Sequence, residues 1–301
     1  YSDMRNRFVP ADVDVGSQVG GFIVNENINF LGLESNLLAT FTKDFSEDFT
    51  ASFTVGHQLS DIKTDYSFIR GEGLNVPGIN EISNTLNLFG NTTVSQLRNM
   101  GVFGDLRLEY KDVLFLTVTG RNDWISVMPP QNRSFFYPSA SLSYLFNDLV
   151  DPDGNFLSFG KFRTSWAQVG KGPNFGQIGQ YFINDADFPF SGAGGFRAST
   201  QFGDPDLVPE RNNTFEIGAD LRFLDNRLRL DYSYYKSKVS DQIFPVGAAY
   251  SSGLSSVVRN AGDFETWGHE ILLSYKIFNT DDFGWEAIAN FYTNGSEVTA
   301  I

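Results

Sequence analysis

The chain has 301 residues, 22 Lys+Arg against 36 Asp+Glu for a formal net charge of -14, and no cysteine. That balance argues against a nucleic-acid partner, and the missing cysteines exclude a disulfide framework and thiolate metal sites. Aromatic residues reach 15% while apolar residues total only 41%, a pairing that suits a wall greasy on one side and wet on the other, with aromatic belts at its rims.

In chain order, the opening Tyr1-Ser2-Asp3-Met4-Arg5 lacks the basic and apolar regions of a signal peptide, so a secreted or outer-membrane chain would be a mature form or a fragment. No apolar run reaches the ~18 residues of a membrane-spanning helix. Period-2 alternation, the mark of strands with two unlike faces, recurs near 18–30, 35–43, 48–70, 101–110, 113–121, 135–146, 159–168, 214–223, 228–234, 264–277 and 283–293. In 214–223, Phe215, Ile217, Ala219, Leu221 and Phe223 share one face, and Thr214, Glu216, Gly218, Asp220 and Arg222 share the other. Leu224-Asp225-Asn226 then turns into Leu228, Leu230, Tyr232 and Tyr234, which alternate with Arg227, Arg229, Asp231 and Ser233. About eleven strands result, several near the ~9–11 residues that a tilted strand needs to cross a bilayer.

Connections near 44–47, 111–112, 147–158, 224–226 and 279–282 are short, and those near 71–100, 122–134, 169–213 and 239–263 are long. From the third strand onward, long and short alternate. An outer-membrane barrel has that parity because its periplasmic turns are short and its extracellular loops long. The predicted fold is an all-β antiparallel transmembrane barrel, present in part over 1–301. No fixed repeat of a propeller or solenoid is present.

Catalytic constellations are sparse. His57 and His269 are far apart in predicted strands, where a lone histidine packs or sits at a rim. Asp151-Pro152-Asp153-Gly154-Asn155 resembles the start of a calcium loop but lacks the later ligands and the closing Glu, so it reads as a tight turn. Gly192-Ala193-Gly194-Gly195 lacks the helix and Lys of a phosphate cradle. No enzyme, metal or cofactor site is expected. Phe135-Phe136-Tyr137 and Tyr232, Tyr234 and Tyr235 suit interfacial girdles or sugar-stacking platforms, girdles being the plainer reading at strand positions. In the longest loop, Tyr181, Phe182, Asp185, Asp187, Phe188, Phe190, Phe196 and Arg197 form a candidate ligand-capture surface.

Several longer words then occur in order. Gly120-Arg121-Asn122-Asp123-Trp124 is followed by Asn132-Arg133-Ser134-Phe135-Phe136-Tyr137-Pro138-Ser139, and then by Lys161-Phe162-Arg163-Thr164-Ser165-Trp166-Ala167-Gln168-Val169-Gly170. Leu207-Val208-Pro209-Glu210-Arg211 runs into Thr214-Phe215-Glu216-Ile217-Gly218, and Val258-Arg259-Asn260-Ala261-Gly262 precedes Gly268-His269-Glu270-Ile271. Together they resemble the SusC/RagA-type TonB-dependent transporters, although the His beside Gly268 departs from the family's usual Lys, Arg or apolar residues.

The resemblance implies a 22-stranded barrel closed by a plug. It also implies an oligosaccharide or peptide ligand, a SusD-like lipoprotein lid and energy from the TonB complex. About half of such a wall is present, and half a barrel would leave unpaired edges in lipid, so a longer protein is expected. Arg121, Asp123, Trp124, Asn132, Arg133, Arg163, Trp166, Pro209, Glu210, Asn260 and Gly262 are expected to be structural, with Arg121 pairing with Asp123 and Pro209-Glu210 ending a loop and starting a strand. A passive or structural barrel, or a secreted carbohydrate-binding β-protein, is the alternative.

Overall fold

A computed structural model describes residues 2–10, 20–151, 156–185 and 195–301. Its strands are β1 (Ser2–Val9), β2 (Phe22–Ser46), β3 (Phe49–Leu74), β4 (Thr85–Tyr110), β5 (Leu114–Ile125), β6 (Ser134–Leu145), β7 (Leu157–Lys171), β8 (Phe182–Asp185), β9 (Gly195–Ala198), β10 (Gln201–Phe202), β11 (Glu210–Phe223), β12 (Leu228–Ser240), β13 (Ile243–Gly247), β14 (Ser256–Asn260), β15 (Asp263–Asn279) and β16 (Gly284–Ala300). Eleven of them form one sheet in the order β1-β2-β3-β4-β5-β6-β7-β11-β12-β15-β16. Apart from the small insertions, each strand lies beside its sequence neighbour, the meander expected of an up-and-down wall. The only α-helix among the described residues is the single turn α1 (Asn147–Val150).

Two compact units divide the chain. One holds Tyr1–Ser35, Leu59–Asn99 and Tyr181–Ser199, and the other holds Asn36–Gln58, Met100–Gln180 and Thr200–Ile301. In the second unit the registers separate two chemistries. Ala219 of β11 lies opposite Phe162 and Tyr232, and Tyr232 lies opposite Ile271, which faces Phe291. One residue along, Gly218 lies opposite Arg163 and Ser233, and Ser233 opposite Glu270. The same parity puts Leu37, Phe41 and Phe45 of β2 with Phe53 and Val55 of β3 on the apolar face. Thr40 and Thr42 are on the polar face, where their hydroxyls bond those of Thr54 and Ser52 at 3.0 Å each.

The apolar face is uncovered. Leu37 is 67%, Phe41 65%, Phe136 59% and Phe291 59% exposed, far more contiguous apolar surface than a protein in water tolerates. A hydrocarbon solvent removes that conflict, because the strands satisfy their backbone groups on one another.

The turns at the short-connection end carry their own chemistry. Lys111 and Asp112 take φ of 55° and 53° between β4 and β5, the left-handed pair that matches a hairpin's twist. Leu224, Asp225 and Asn226 all take positive φ between β11 and β12.

Several segments differ from the sequence expectation. The stretches 18–30 and 35–43, expected as two strands, form the single β2 of 25 residues. Most of 71–100, expected as a loop, is strand: β3 runs to Leu74, β4 starts at Thr85, and the tip between them is tied by Asn84, whose amide donates to the Val76 and Ile79 carbonyls. Glycine and asparagine at Gly90 and Asn91 suggest a break there, but pairing with β3 overrides weak strand propensity. The expected loops at 169–213 and 239–263 contain β8 to β10, β13 and β14, too short to show a period of their own. Strand β1 was not anticipated; it pairs with β2 from Ser2–Asn29 to Val9–Phe22.

In the first unit, Asp61 of β3 accepts hydrogen bonds from Gln96 and Arg98 of β4 at 2.8 Å each. Asp61 stands beyond the ~9–11 crossing residues next to the Glu47–Asp48 turn. The Gln96 amide first, then the Arg98 guanidinium, hold its carboxyl below the ordinary range. A lowered folded-state pKa stabilises the native state above the unfolded titration range, and that contribution is lost as pH falls through the lowered value. Amide hydrogen exchange around Gln96 is expected to rise on that acid limb in the wild type, and Asp61→Asn should remove this limb.

The two faces give a second prediction. Ala219→Arg, near the middle of the apolar band, should cost about 2–4 kcal/mol in a bilayer. Ser141→Arg on the polar face should be tolerated. Denaturant unfolding of the full-length protein in vesicles reads both.

Candidate functional site

The polar face of the second unit is organised by two arginines, each lying over a glycine. Arg163 of β7 faces Gly218, and its Nη2 reaches past β11 to Asp231 Oδ1 (2.7 Å) and Ser233 Oγ (2.6 Å) of β12. A Cβ on Gly218 would come within 2.8 Å of Arg163 Nε, so that path needs glycine. Arg121 Nε binds Asp123 at 2.6 Å, Nη2 donates to Gln58 Oε1 at 3.1 Å, and the guanidinium lies 5.7 Å from the Phe103 ring centre. Gly101 leaves room there: a Cβ on it would overlap Arg121 Nη2.

The network continues through Arg229, which meets both Asp220 and Asp231 at 3.2 Å. Asp220 Oδ1, Arg222 Nε and Arg229 Nε are buried with no hydrogen-bond partner among the described residues.

At the long-connection end, a clasp encloses a small core. Met128, Pro129, Leu207 and Val258 are fully buried, although they come from three separate connections between wall strands. Asn132 Nδ2 donates to the carbonyls of Leu207 (2.9 Å) and Asp206 (3.2 Å). Asn260 Oδ1 accepts the Val208 N–H at 2.8 Å, while its Nδ2 donates to the Val208 carbonyl (2.8 Å) and the Asp241 carbonyl (2.7 Å). Glu210 Oε1 accepts the Ile243 N–H at 2.8 Å, joining the first residue of β11 to the first of β13. Gly262 holds φ at 107°, and its carbonyl accepts from Gln242. Beside this clasp is a cavity of about 370 Å³ lined by Gln131, Phe135, Tyr137, Gln168 and Glu210, among others.

The residues singled out by sequence therefore divide. Asn132, Pro209, Glu210, Asn260 and Gly262 meet in the clasp, Arg121 and Asp123 pair, and Arg163 spans three strands. Arg133 accepts the Ile125 N–H through its carbonyl at 3.3 Å. Trp166 is opposite Phe215 on the apolar face, and Trp124 is opposite Ser134.

Phe135-Phe136-Tyr137 is not one girdle. Phe136 lies on the apolar face, while Phe135 and Tyr137 pack edge to face at 5.0 Å on the polar side. His269 lies on the apolar face, where Tyr232 Oη is 2.9 Å from its Nδ1 and the Tyr234 ring centre is 5.0 Å away.

Among the ligand candidates, β8 and β9 form a hairpin pairing Phe182 with Ala198 and Ile183 with Arg197. Phe182 and Phe196 are 70% and 72% exposed. Asp187, Phe188 and Phe190 lie outside the described residues, as does the Asp185 side chain. Asp151 Oδ2 accepts the Phe156 and Leu157 N–H groups (2.6 and 2.8 Å), while the rest of the expected turn, 152–155, lies outside the described residues. No group of three or more potential metal-ligating residues occurs among the described residues.

Sequence reasoning missed the buried loop core and the parallel pairing of β10 with β14. The apolar words Val127-Met128-Pro129 and Leu207-Val208-Pro209, inside segments otherwise polar, were the available signal.

Residues 3–300 match the family described as TonB dependent receptor-like, beta-barrel. TonB-dependent receptor P3 of Formosa agariphila is 25% identical over 98% of this chain and 30% of its own length. TonB-dependent receptor P26 of the same organism is 26% identical over 73% of this chain and 23% of its own length. Among solved structures, the RagAB peptide importer in its closed-closed state aligns over 100% of this chain and 33% of its own, with a TM-score of 0.85 at 21% identity. The ferripyoverdine receptor of the Pseudomonas aeruginosa outer membrane aligns over 99% and 38%, with a TM-score of 0.55 at 13% identity. The chain thus spans about a third of the length of the relatives it matches.

Asn260→Ala removes three hydrogen bonds at once and should destabilise the clasp by about 1–3 kcal/mol. Limited proteolysis is expected to cut faster between Thr200 and Val208, with strand content by circular dichroism unchanged.

Proposed function

The chain belongs to the TonB-dependent receptor β-barrel family, and from that premise we propose that it is part of the barrel wall of an outer-membrane importer. The importer captures oligosaccharides or peptides at the long-connection end, which faces the outside. A SusD-like lipoprotein covers that end, and the TonB complex pulls on a plug to open the path. One observation carries this reading: a sheet whose apolar face is bare while its polar face is laced with ion pairs is built for lipid outside and a wet lumen within. The RagAB structure, named as a peptide importer, aligns with the whole chain and favours ligands of that size class.

In this reading the clasp residues and the paired Arg121 and Asp123 set the shape of the outer rim, and Arg163 stiffens the lumen wall. The β8–β9 hairpin presents Tyr181, Phe182 and Arg197 to the ligand, in line with loops on a rigid wall carrying recognition. Asp185, Asp187, Phe188 and Phe190, whose side chains lie outside the described residues, are assigned to ligand contact from the sequence alone.

Uptake of a labelled ligand by cells is expected to stop when TonB is deleted. Uptake that persists would mark a passive barrel instead. Phe182→Ala together with Phe196→Ala should weaken capture about tenfold or more, about 1.4 kcal/mol, without changing barrel assembly. Unchanged capture would remove the hairpin from the recognition surface.

A further inference from the structure

The first unit contains a groove of about 420 Å³ lined by Arg5, Arg7, Val24, Glu26, Tyr66, Phe68 and Arg70. Phe22, only 4% exposed, lies against two of the lining side chains, Arg7 and Arg70. Two guanidinium groups lie on that ring, Arg70 at 4.9 Å and Arg7 at 5.4 Å from its centre.

The surrounding charges are largely committed. Asp3 pairs with Arg5 at 2.8 Å, and Glu72 with Arg70 at 2.7 Å. Glu26 accepts the Tyr66 O–H at 2.9 Å, and that contact pushes the Tyr66 phenol above its ordinary range. Arg7 has no ion-pair partner among the described residues. Arg70 Nε is buried with no hydrogen-bond partner among the described residues.

We propose that this groove is an oxyanion subsite, with Arg7 and Arg70 taking a carboxylate or sulfate group of a ligand. A guanidinium stacked on an aromatic ring uses its face and leaves its in-plane N–H donors free, the arrangement that binds planar or multi-oxygen anions. Two cations on one ring also repel each other, and an anion between them relieves that repulsion. The chain's net charge of -14 disfavours anions at long range. At contact, two neighbouring guanidinium groups outweigh that distant field, because solvent and salt screen charges beyond about 8 Å. The subsite deepens the import reading, on which it rests for the claim that ligand passes this face.

The test uses the full-length protein in detergent and isothermal calorimetry with four probes: a Glu-rich decapeptide, its Gln counterpart, a sulfated hexasaccharide and its unsulfated form. Binding of at least one anionic probe is expected, and Arg7→Gln should weaken it fivefold or more while leaving neutral probes unaffected. Loss confined to the Glu peptide assigns the site to carboxylates, loss confined to the sulfated sugar assigns it to sulfates, and loss of both assigns it to either group. Anionic binding that is equal in wild type and variant, or absent up to about 1 mM, overturns the proposal. TonB-dependent uptake with Arg7→Gln binding unchanged would sink the subsite and leave the import reading. Weakened binding with TonB-independent uptake would do the reverse.

Discussion

Everything in this sheet follows from one constraint: where one face of a strand meets hydrocarbon, every backbone N–H and C=O must find its partner on the next strand. The meander from β1 to β16 meets it with antiparallel neighbours, so backbone pairing leaves the side chains free to differ by face. Period-2 alternation then does two tasks with one sequence. Ala219, Phe162, Tyr232, Ile271 and Phe291 make a continuous apolar band, while Gly218, Arg163, Ser233 and Glu270 on the same strands make a charged wall. A slip of one residue would exchange the faces across a whole strand pair. Arg163 opposes such a slip in β7, β11 and β12, because its bonds to Asp231 and Ser233 exist in one register only.

A wall of this kind has no conventional interior, so burial concentrates where loops fold back on themselves. Met128, Leu207 and Val258 form such a core at the rim, with Asn132 and Asn260 bonding the backbone that encloses them. The asparagines satisfy carbonyls and N–H groups that no strand ladder reaches. Those bonds tie the segments around Asn132, Val208 and Asp241 to one another at the rim.

The alternation at 214–223 and 228–234 was legible because each strand has two clean faces and a turn of Leu224-Asp225-Asn226 between them. The lengths of β2 and β4 were not, because Gly32, Gly90 and Asn91 interrupt the pattern while strand pairing carries the backbone through. β13 and β14 are five residues each, below the length at which a period can be recognised. Asn132, Glu210 and Asn260 stood out as words in a family resemblance, but their meeting in one clasp depends on loop paths that no local pattern encodes. Phe135-Phe136-Tyr137 shows the opposite case: strict alternation in β6 should have placed its middle residue apart from the other two.

The two faces of the sheet meet different solvents. The most direct measurement places single cysteines, absent from this chain, at Ile217 and Ser141 of the full-length protein in vesicles and labels each with an environment-sensitive fluorophore. The Ile217 probe should be quenched by spin-labelled lipid and shielded from aqueous iodide, and the Ser141 probe should show the reverse. Equal quenching of both from the water phase would contradict that difference in solvent.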